Sequence, residues 1–234
     1  MDQLFYSNNI IDDLIYLNQE ESFHAIKVLR KNKGDNIYVT DGLGVIYLGE
    51  IQDDDVKKCV LKIINEKVSL KKINHYIHIA IAPTKNHDRI EWFVEKAIEI
   101  GIQEISFLQT KRTERKRIKI DRIKKRAISS MKQSLKGSLP IINEMLDFSE
   151  FVDKCNNYFK YVGYLGGEKV DLLTKTVNKN SNCCVMIGPE GDFTNEEIYY
   201  ALNNGFNCIS LGGSRLRTET AGMVACNILN VING

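Results

Sequence analysis

Two glycine-containing turns are the parts of this sequence best suited to holding a small ligand. Residues 188–194 (GPEGDFT) follow the apolar run 183–187, and residues 212–214 (GGS) follow the apolar run 207–211. If both runs are neighbouring strands of an α/β sheet, both turns lie at its carboxyl end, where such sheets bind ligands. Glycines in one turn could serve a tight strand-to-helix connection alone. Two such turns offer backbone donors to one crevice.

The turns also indicate which ligands fit. Neither matches the glycine-rich templates that bind a nucleoside triphosphate or a dinucleotide. Pro189 removes one backbone N–H from the first turn, which disfavours a nest of amides around a phosphate. A crevice that reads its ligand through backbone groups and apolar contacts suits an adenine ring.

The second half of the chain has the alternation of an α/β domain. Short apolar runs, typical of strands buried on both faces of a parallel sheet, alternate with segments of helical period. The predicted strands are 76–82, 104–108, 160–165, 183–187 and 207–211. A helix capped by Asp88 and Glu91 ends at Gly101, and a last helix begins near Thr218. Thr194 and Glu197 have capping-box spacing and predict a helix to about residue 202.

The first segment predicts a small β domain. A helix over 19–29 is introduced by Asn18, with Glu21 three residues later. Strands 36–40 and 45–51 flank the turn 41–44 (DGLG), and a third strand near 59–64 would complete a small β barrel or curled sheet. The polar stretch 65–72 is the predicted boundary, giving domains 1–72 and 73–234.

Charge and cysteine content indicate which classes of partner the chain could bind: nucleic acid, metal or membrane. The net charge is +2, but residues 111–126 hold ten Lys and Arg against Glu114 and Asp121, which suits phosphate contacts or a solvated helix face. Six cysteines without a C-x-x-C pair and four histidines without ligand spacing predict no metal site. No apolar run approaches the ~20 residues of a membrane helix, and the first residues do not read as a secretory signal. We therefore expect a cytoplasmic protein with no membrane partner.

The two turns lie in longer motifs that resemble a known family. IGPEGDFTNEEI (187–198) and SLGGSRLRTETA (210–221) closely resemble the SPOUT-class 16S ribosomal RNA (uracil-N3)-methyltransferases. Upstream, residues 22–44 resemble that family's PUA-like domain, 85–102 its first catalytic helix, and 110–113 (TKRT) its T-x-R-S element. Residues 131–134 (MKQS) depart from an element usually written with Glu before Gln-Ser.

The resemblance implies an architecture that periodicity alone does not predict. It implies a PUA-like β-barrel domain followed by an α/β SPOUT methyltransferase domain with a trefoil knot, and a homodimer whose subunits complete the active sites. Knotted chains are otherwise essentially absent, so the residue pattern by itself favours an ordinary doubly wound sheet.

The resemblance also assigns S-adenosylmethionine as cofactor and 16S ribosomal RNA or the small ribosomal subunit as partner. The residues implied to bind the cofactor are Leu165, Gly166, Ile187, Gly188, Glu190, Gly191, Leu211, Gly212, Leu216 and Arg217. The residues expected to contact RNA are Arg30, Lys85, Arg89, Arg112, Arg115 and Lys116.

Methylation of uracil N3 requires an unpaired or flipped base and loss of the N3 proton. The implied catalytic residues are Arg217, which could stabilise charge on the uracil carbonyls, and Glu219, the nearest carboxylate. Alternatively, Arg217 holds the cofactor and Glu219 stabilises a helix N-terminus. Two other functions stay open at this point: a SPOUT enzyme with another RNA target, and a non-catalytic RNA-binding protein.

Overall fold

A computed structural model describes residues 3–68, 74–155, 159–164, 166 and 170–234 of the chain. The chain divides into two compact units: Met1–Lys72 with Ile128–Leu139, and Ile73–Ala127 with Pro140–Gly234. The predicted boundary between residues 72 and 73 falls outside the described residues. Residues 128–139, which the predicted division places in the second domain, cluster with the first unit.

The first unit is built on one six-stranded sheet. Its strands are β1 (Leu4–Tyr6), β2 (Ile10–Ile11), β3 (Leu14–Tyr16), β4 (Asn36–Thr40), β5 (Val45–Asp53) and β6 (Val60–Val68). Their order is β1-β4-β5-β6-β3-β2; β1 pairs parallel with β4, and the other pairs are antiparallel. The predicted small β domain is therefore present, with three short strands that the sequence pattern did not reveal.

The predicted helix over 19–29 consists of two segments. Helix α1 (Gln19–Phe23) continues into a π-helical turn, His24–Val28. Asn18 caps α1, since its side chain accepts a hydrogen bond from the Glu21 amide at 2.9 Å. The Glu21 carboxylate does not complete the capping box, because it accepts from the Tyr6 amide at 3.2 Å and pairs with Lys132.

The second unit carries a six-stranded sheet in which every neighbouring pair is parallel. Its strands are β7 (Tyr76–Ile81), β8 (Glu104–Gln109), β9 (Ile141–Asp147), β10 (Phe159–Gly163), β11 (Asn182–Ile187) and β12 (Phe206–Ile209). Their order is β12-β10-β11-β7-β8-β9. The predicted parallel α/β sheet is confirmed, and β9 is an additional edge strand.

The described residues form six further helices. They are α2 (His87–Ile100), α3 (Ile120–Gln133), α4 (Phe148–Lys154), α5 (Leu173–Thr176), α6 (Asn195–Asn203) and α7 (Thr218–Asn233). Among the helices that the structure describes, none is long and apolar enough to cross a membrane.

The cap of α2 also differs from the prediction. Asn86, not Asp88, caps α2, and its side chain accepts from the Asp88 amide at 2.9 Å. Glu91 is buried and pairs with Arg122 and Arg126 instead of serving the cap. The predicted capping box of α6 is present, with bonds of 3.3 Å and 2.8 Å between Thr194 and Glu197.

Helix α7 approaches the sheet closely at Gly222. A Cβ at this position would lie 2.8 Å from Cε2 of Phe93 on α2 and 2.9 Å from Cδ1 of Ile81 on β7. Glycine therefore lets α7 pack directly against α2 and β7. This contact fixes the N-terminal end of α7, which carries Arg217 and Glu219.

Candidate active site

A cavity of about 330 Å³ opens at the carboxyl ends of β10, β11 and β12. Each strand contributes its end and the loop that follows. The lining residues are Arg89, Gly163, Tyr164, Ile187, Gly188, Pro189, Glu190, Asp192, Ile209, Ser210, Leu211, Gly212, Ser214, Arg215, Leu216, Arg217, Thr218 and Ala221. Both predicted glycine turns therefore meet in one crevice, which is the expected position for a ligand in a parallel α/β sheet.

The parallel register brings the three strand ends together. Gly163 at the end of β10 is in register with Ile187 on β11 and with Ile209 on β12. The hydroxyl of Thr218, in the first turn of α7, donates to the Gly188 carbonyl at 3.0 Å in a buried position. This bond joins the loop after β11 to the loop after β12.

Backbone conformation explains one of the turn glycines and close packing explains another. Gly212 has φ of +138°, and a Cβ there would meet nothing within 4 Å, so glycine is needed for the conformation and not for space. At Gly188 the reason is contact, since a Cβ would lie 3.1 Å from the Phe193 ring and 3.2 Å from Asp192.

Most of the residues predicted to bind a cofactor line this cavity. Those that do are Ile187, Gly188, Glu190, Leu211, Gly212, Leu216 and Arg217. Gly191 does not, because its carbonyl faces Arg112 and accepts from the guanidinium at 2.6 Å. Gly166 lines a neighbouring cavity, and Leu165 lies outside the described residues.

Several lining residues were not predicted. Tyr164 follows the end of β10, and Asp192, Ser210 and Arg215 lie within the two glycine-containing segments. The signal that could have identified them is position, since each lies in the segment that follows the carboxyl end of β10, β11 or β12.

The two predicted catalytic residues occupy different surroundings. Arg217 lines the cavity and is the N-cap residue of α7. The Glu219 side chain is nine-tenths buried and is not part of the lining, and its Oε1 lies 3.7 Å from Nε of Arg89. Its Oε2 is buried with no hydrogen-bond partner among the described residues. A buried acceptor without a donor is costly.

Arg89 was predicted to contact RNA, and the structure places it in the cavity wall. It lies in the first turn of α2 and is partly exposed. Because it contacts the Glu219 carboxylate on one side and the cavity on the other, it connects the buried acid with the ligand site.

The other residues predicted to contact RNA divide into two groups. The guanidinium of Arg112 donates to the carbonyls of Gly191 and Phe193, at 2.6 and 3.3 Å. Arg115 donates to the carbonyls of Thr84, at 3.1 Å, and Lys85. These two arginines thus hold backbone segments. The second group lies at the surface and consists of Arg30 in the first unit, Lys85 and Lys116. Lys85 forms an ion pair with Glu114 at 3.1 Å.

His78 lies in the core of the sheet and outside the cavity. Its Nε2 lies 2.8 Å from the Ser106 hydroxyl. Burial lowers the pKa of His78 to about 4, although Glu104 partly opposes that shift. The imidazole is therefore neutral near pH 7, as expected for a buried core residue. Within the described parts of the chain, no cluster of His, Cys, Asp and Glu could hold a metal ion.

Comparison with known families identifies this architecture. The profile of the RNA methyltransferase domain matches residues 71–230, which is more than half of the chain. The chain belongs to this RNA methyltransferase family. The profile of the RNA methyltransferase PUA domain matches residues 17–64 of the first unit.

Three relatives of this family resemble the chain over nearly its full length. A probable rRNA methyltransferase of Porphyromonas gingivalis is 37% identical, with a TM-score of 0.92, over 99% of this chain and 98% of that one. A candidate methyltransferase of Legionella pneumophila, whose structure holds the cofactor SAM, is 25% identical, with a TM-score of 0.87, over 100% and 98%. Ribosomal RNA small subunit methyltransferase E of Buchnera aphidicola is 28% identical over 96% of this chain and 90% of its own length.

Proposed function

We propose that this chain is an S-adenosylmethionine-dependent methyltransferase that methylates N3 of a uridine in the 16S RNA of the small ribosomal subunit. The observation that carries the proposal is the cavity at the ends of β10, β11 and β12, formed by the GPEG and LGG segments. It lies in an RNA methyltransferase domain. The Buchnera relative is named as a small-subunit ribosomal RNA methyltransferase, and the Legionella relative holds SAM.

The residues of the cavity fit the cofactor. Ile187, Leu211 and Leu216 supply apolar walls, while the loops around Gly188 and Gly212 bring backbone groups to the ligand. This combination of apolar side chains and backbone polar groups suits an adenosine group, whose base is flat and carries both hydrogen-bond donors and acceptors. When bound, S-adenosylmethionine supplies an activated methyl group on a positively charged sulfur.

The chain's own residues must then position the acceptor and remove a proton. We propose that Arg217, in the cavity wall, stabilises negative charge that develops on the uracil carbonyls. Glu219, which Arg89 contacts at 3.7 Å, lies behind the cavity wall, and we propose that it takes up the N3 proton through an intervening water. The buried Glu219 Oε2, which lacks a donor among the described residues, supports this role.

In this proposal, lysine side chains contact the RNA more than arginine side chains do. Arg112 and Arg115 use hydrogen bonds on backbone carbonyls, so we propose that their main effect is on loop position. Lys116, Lys124 and Lys125 are exposed and suit phosphate groups. Such contacts supply sequence-independent affinity and position the RNA.

The remaining expectations rest on the resemblance. We propose that residues 1–72 and 73–234 are the RNA-handling and catalytic domains, that the second contains the trefoil knot, and that two subunits form a homodimer in the cytoplasm. The PUA profile over 17–64 supports the first domain's role.

The direct test combines binding with turnover. Isothermal titration with S-adenosylmethionine should show one site per chain, and Gly188→Val should abolish it. A valine side chain would displace the Gly188 loop or the Phe193 ring, because even a Cβ lies 3.1 Å from that ring. With labelled cofactor, the wild type should label 16S RNA or small subunits. Cofactor binding with label only in another RNA would favour a different RNA target, and absence of cofactor binding would favour a non-catalytic RNA-binding protein.

A further inference from the structure

A second cavity of about 440 Å³ adjoins the proposed cofactor cavity. Tyr164, Asp192 and Arg215 line both cavities, while Arg112 and Asn195 line the second alone. Because three residues are shared, a ligand in the second cavity lies beside the first. Methyl transfer needs such an arrangement, since donor and acceptor must be held in contact.

Tyr164 offers this second cavity an aromatic surface. The residue directly follows β10 and is partly exposed. Its hydroxyl donates to Oδ1 of Asn195 at 3.3 Å. Gly166 lies against the tyrosine ring, where a Cβ could not be placed without displacing it. The ring is therefore supported at two points, while its exposed part can contact a ligand.

The charge of the second cavity comes mainly from two arginines. Arg112 is fixed by its bonds to the carbonyls of Gly191 and Phe193, and Arg215 is exposed. Asp192 is the carboxylate of the lining, and its Oδ1 accepts from the Phe193 amide at 2.8 Å. A cationic site with an aromatic ring is how proteins commonly bind an unpaired nucleotide: the base stacks on the ring, and guanidinium groups contact the phosphate.

We propose that the second cavity is the subsite for the acceptor nucleotide of the RNA, with its base stacked on Tyr164 and its phosphate beside Arg215. This inference rests on the proposed function and adds where the substrate base binds. The N3 atom of a paired uracil is held in the base pair, so a base within a duplex must leave its stack before it can bind here and react.

A pair of substitutions at Tyr164 tests the stacking. Tyr164→Phe keeps the ring and loses the bond to Asn195, whereas Tyr164→Leu keeps an apolar side chain and loses the ring. We expect Tyr164→Phe to leave KM for the RNA within about twofold of the wild type, and Tyr164→Leu to raise it by about tenfold, the size of a single base–aromatic stack. Because Tyr164 also lines the cofactor cavity, cofactor Kd is measured without RNA in both variants, and stacking predicts that KM for the RNA rises by more than cofactor Kd in Tyr164→Leu.

Arg215→Gln provides a second, independent measurement. Removing one phosphate-binding cation should lower the slope of log affinity against log salt by about 0.7, the value for single-stranded nucleic acid. Equal KM values for Tyr164→Phe and Tyr164→Leu, or an unchanged salt slope in Arg215→Gln, would overturn the subsite. If the wild type transfers methyl to RNA, such a result refutes the subsite and leaves the proposed function intact. If the wild type transfers none, the proposed function itself fails.

Discussion

Thr218→Val removes the hydrogen bond that joins the two loops of the cavity. Valine has nearly the shape of threonine, so the change replaces a hydroxyl by a methyl group with little loss of packing. The Gly188 carbonyl, which accepts from Thr218 at 3.0 Å in a buried position, then loses this donor. Leaving a buried carbonyl unsatisfied costs about 1–3 kcal/mol.

This cost predicts two measurable effects. For a chain of this size, 1 kcal/mol lowers Tm by about 2–4 °C, so Tm should fall by about 2–12 °C. Because the Gly188 loop lies in the cavity wall, we also expect cofactor Kd to rise about fivefold or more, equivalent to ~1 kcal/mol.

Differential scanning calorimetry and isothermal titration measure the two effects. Thr218→Ser keeps the hydroxyl and should retain most of the wild-type affinity. Thr220→Val makes the same chemical change two residues later on α7 and should leave cofactor Kd unchanged. If Thr218→Val matched the wild type in both Tm and Kd, the hydrogen bond between Thr218 and Gly188 would contribute nothing to stability or to cofactor binding.

Three further changes test other parts of the structure. Gly222→Ala should lower the free energy of unfolding by about 1–3 kcal/mol through overpacking, since its Cβ would lie 2.8 Å from a ring carbon of Phe93 on α2. The control is Gly213→Ala, where a Cβ meets nothing within 4 Å and stability should not fall. Chemical denaturation curves that are the same for Gly222→Ala and the wild type would contradict the close packing at Gly222. Changing Lys124 and Lys125 to Gln should reduce the salt dependence of RNA affinity by about 0.7 for each phosphate that is no longer neutralised, whereas an unchanged slope would place the RNA elsewhere. Burial lowers the pKa of His78 to about 4 from an ordinary 6.5. As pH falls, the imidazole is therefore protonated in the unfolded chain before it is protonated in the folded chain. The free energy of unfolding should decline as pH falls from about 6.5 to about 4. His78→Gln should make that decline shallower, and an identical pH profile for both proteins would show that burial does not perturb this imidazole.

Local sequence patterns predicted much of the second unit. The apolar runs indicated the parallel strands β7, β8, β10, β11 and β12, because strands buried on both faces need no alternation. Strand β9 (Ile141–Asp147) was missed. It is an edge strand, half-exposed along its length, and its Asn143 and Glu144 interrupt the apolar pattern. The strands β1, β2 and β3 of the first unit, of two or three residues each, are too short to carry a periodic signal.

The site was predictable to the extent that it follows strand ends. The two turns after β11 and β12 could be recognised as ligand loops from their glycines, and they do meet in one cavity. The directions of individual side chains could not be predicted. Gly191 adjoins cavity residues in sequence yet faces Arg112, and Arg89 reaches the cavity from a helix far upstream of both turns. Tertiary packing sets these directions.

Nucleoside analysis after turnover shows directly whether this chain methylates N3 of a uridine. Purified protein is incubated with methyl-labelled S-adenosylmethionine and small ribosomal subunits from cells that lack this enzyme, and the digested RNA is separated by chromatography with mass detection. Arg217→Ala is the matched control. We expect label in 3-methyluridine with the wild type, and a rate lower by about tenfold or more with the variant, as for loss of a group that stabilises developing charge. Label in any other nucleoside, or no transfer by a wild type that binds the cofactor, would contradict methylation of uridine N3 by this chain.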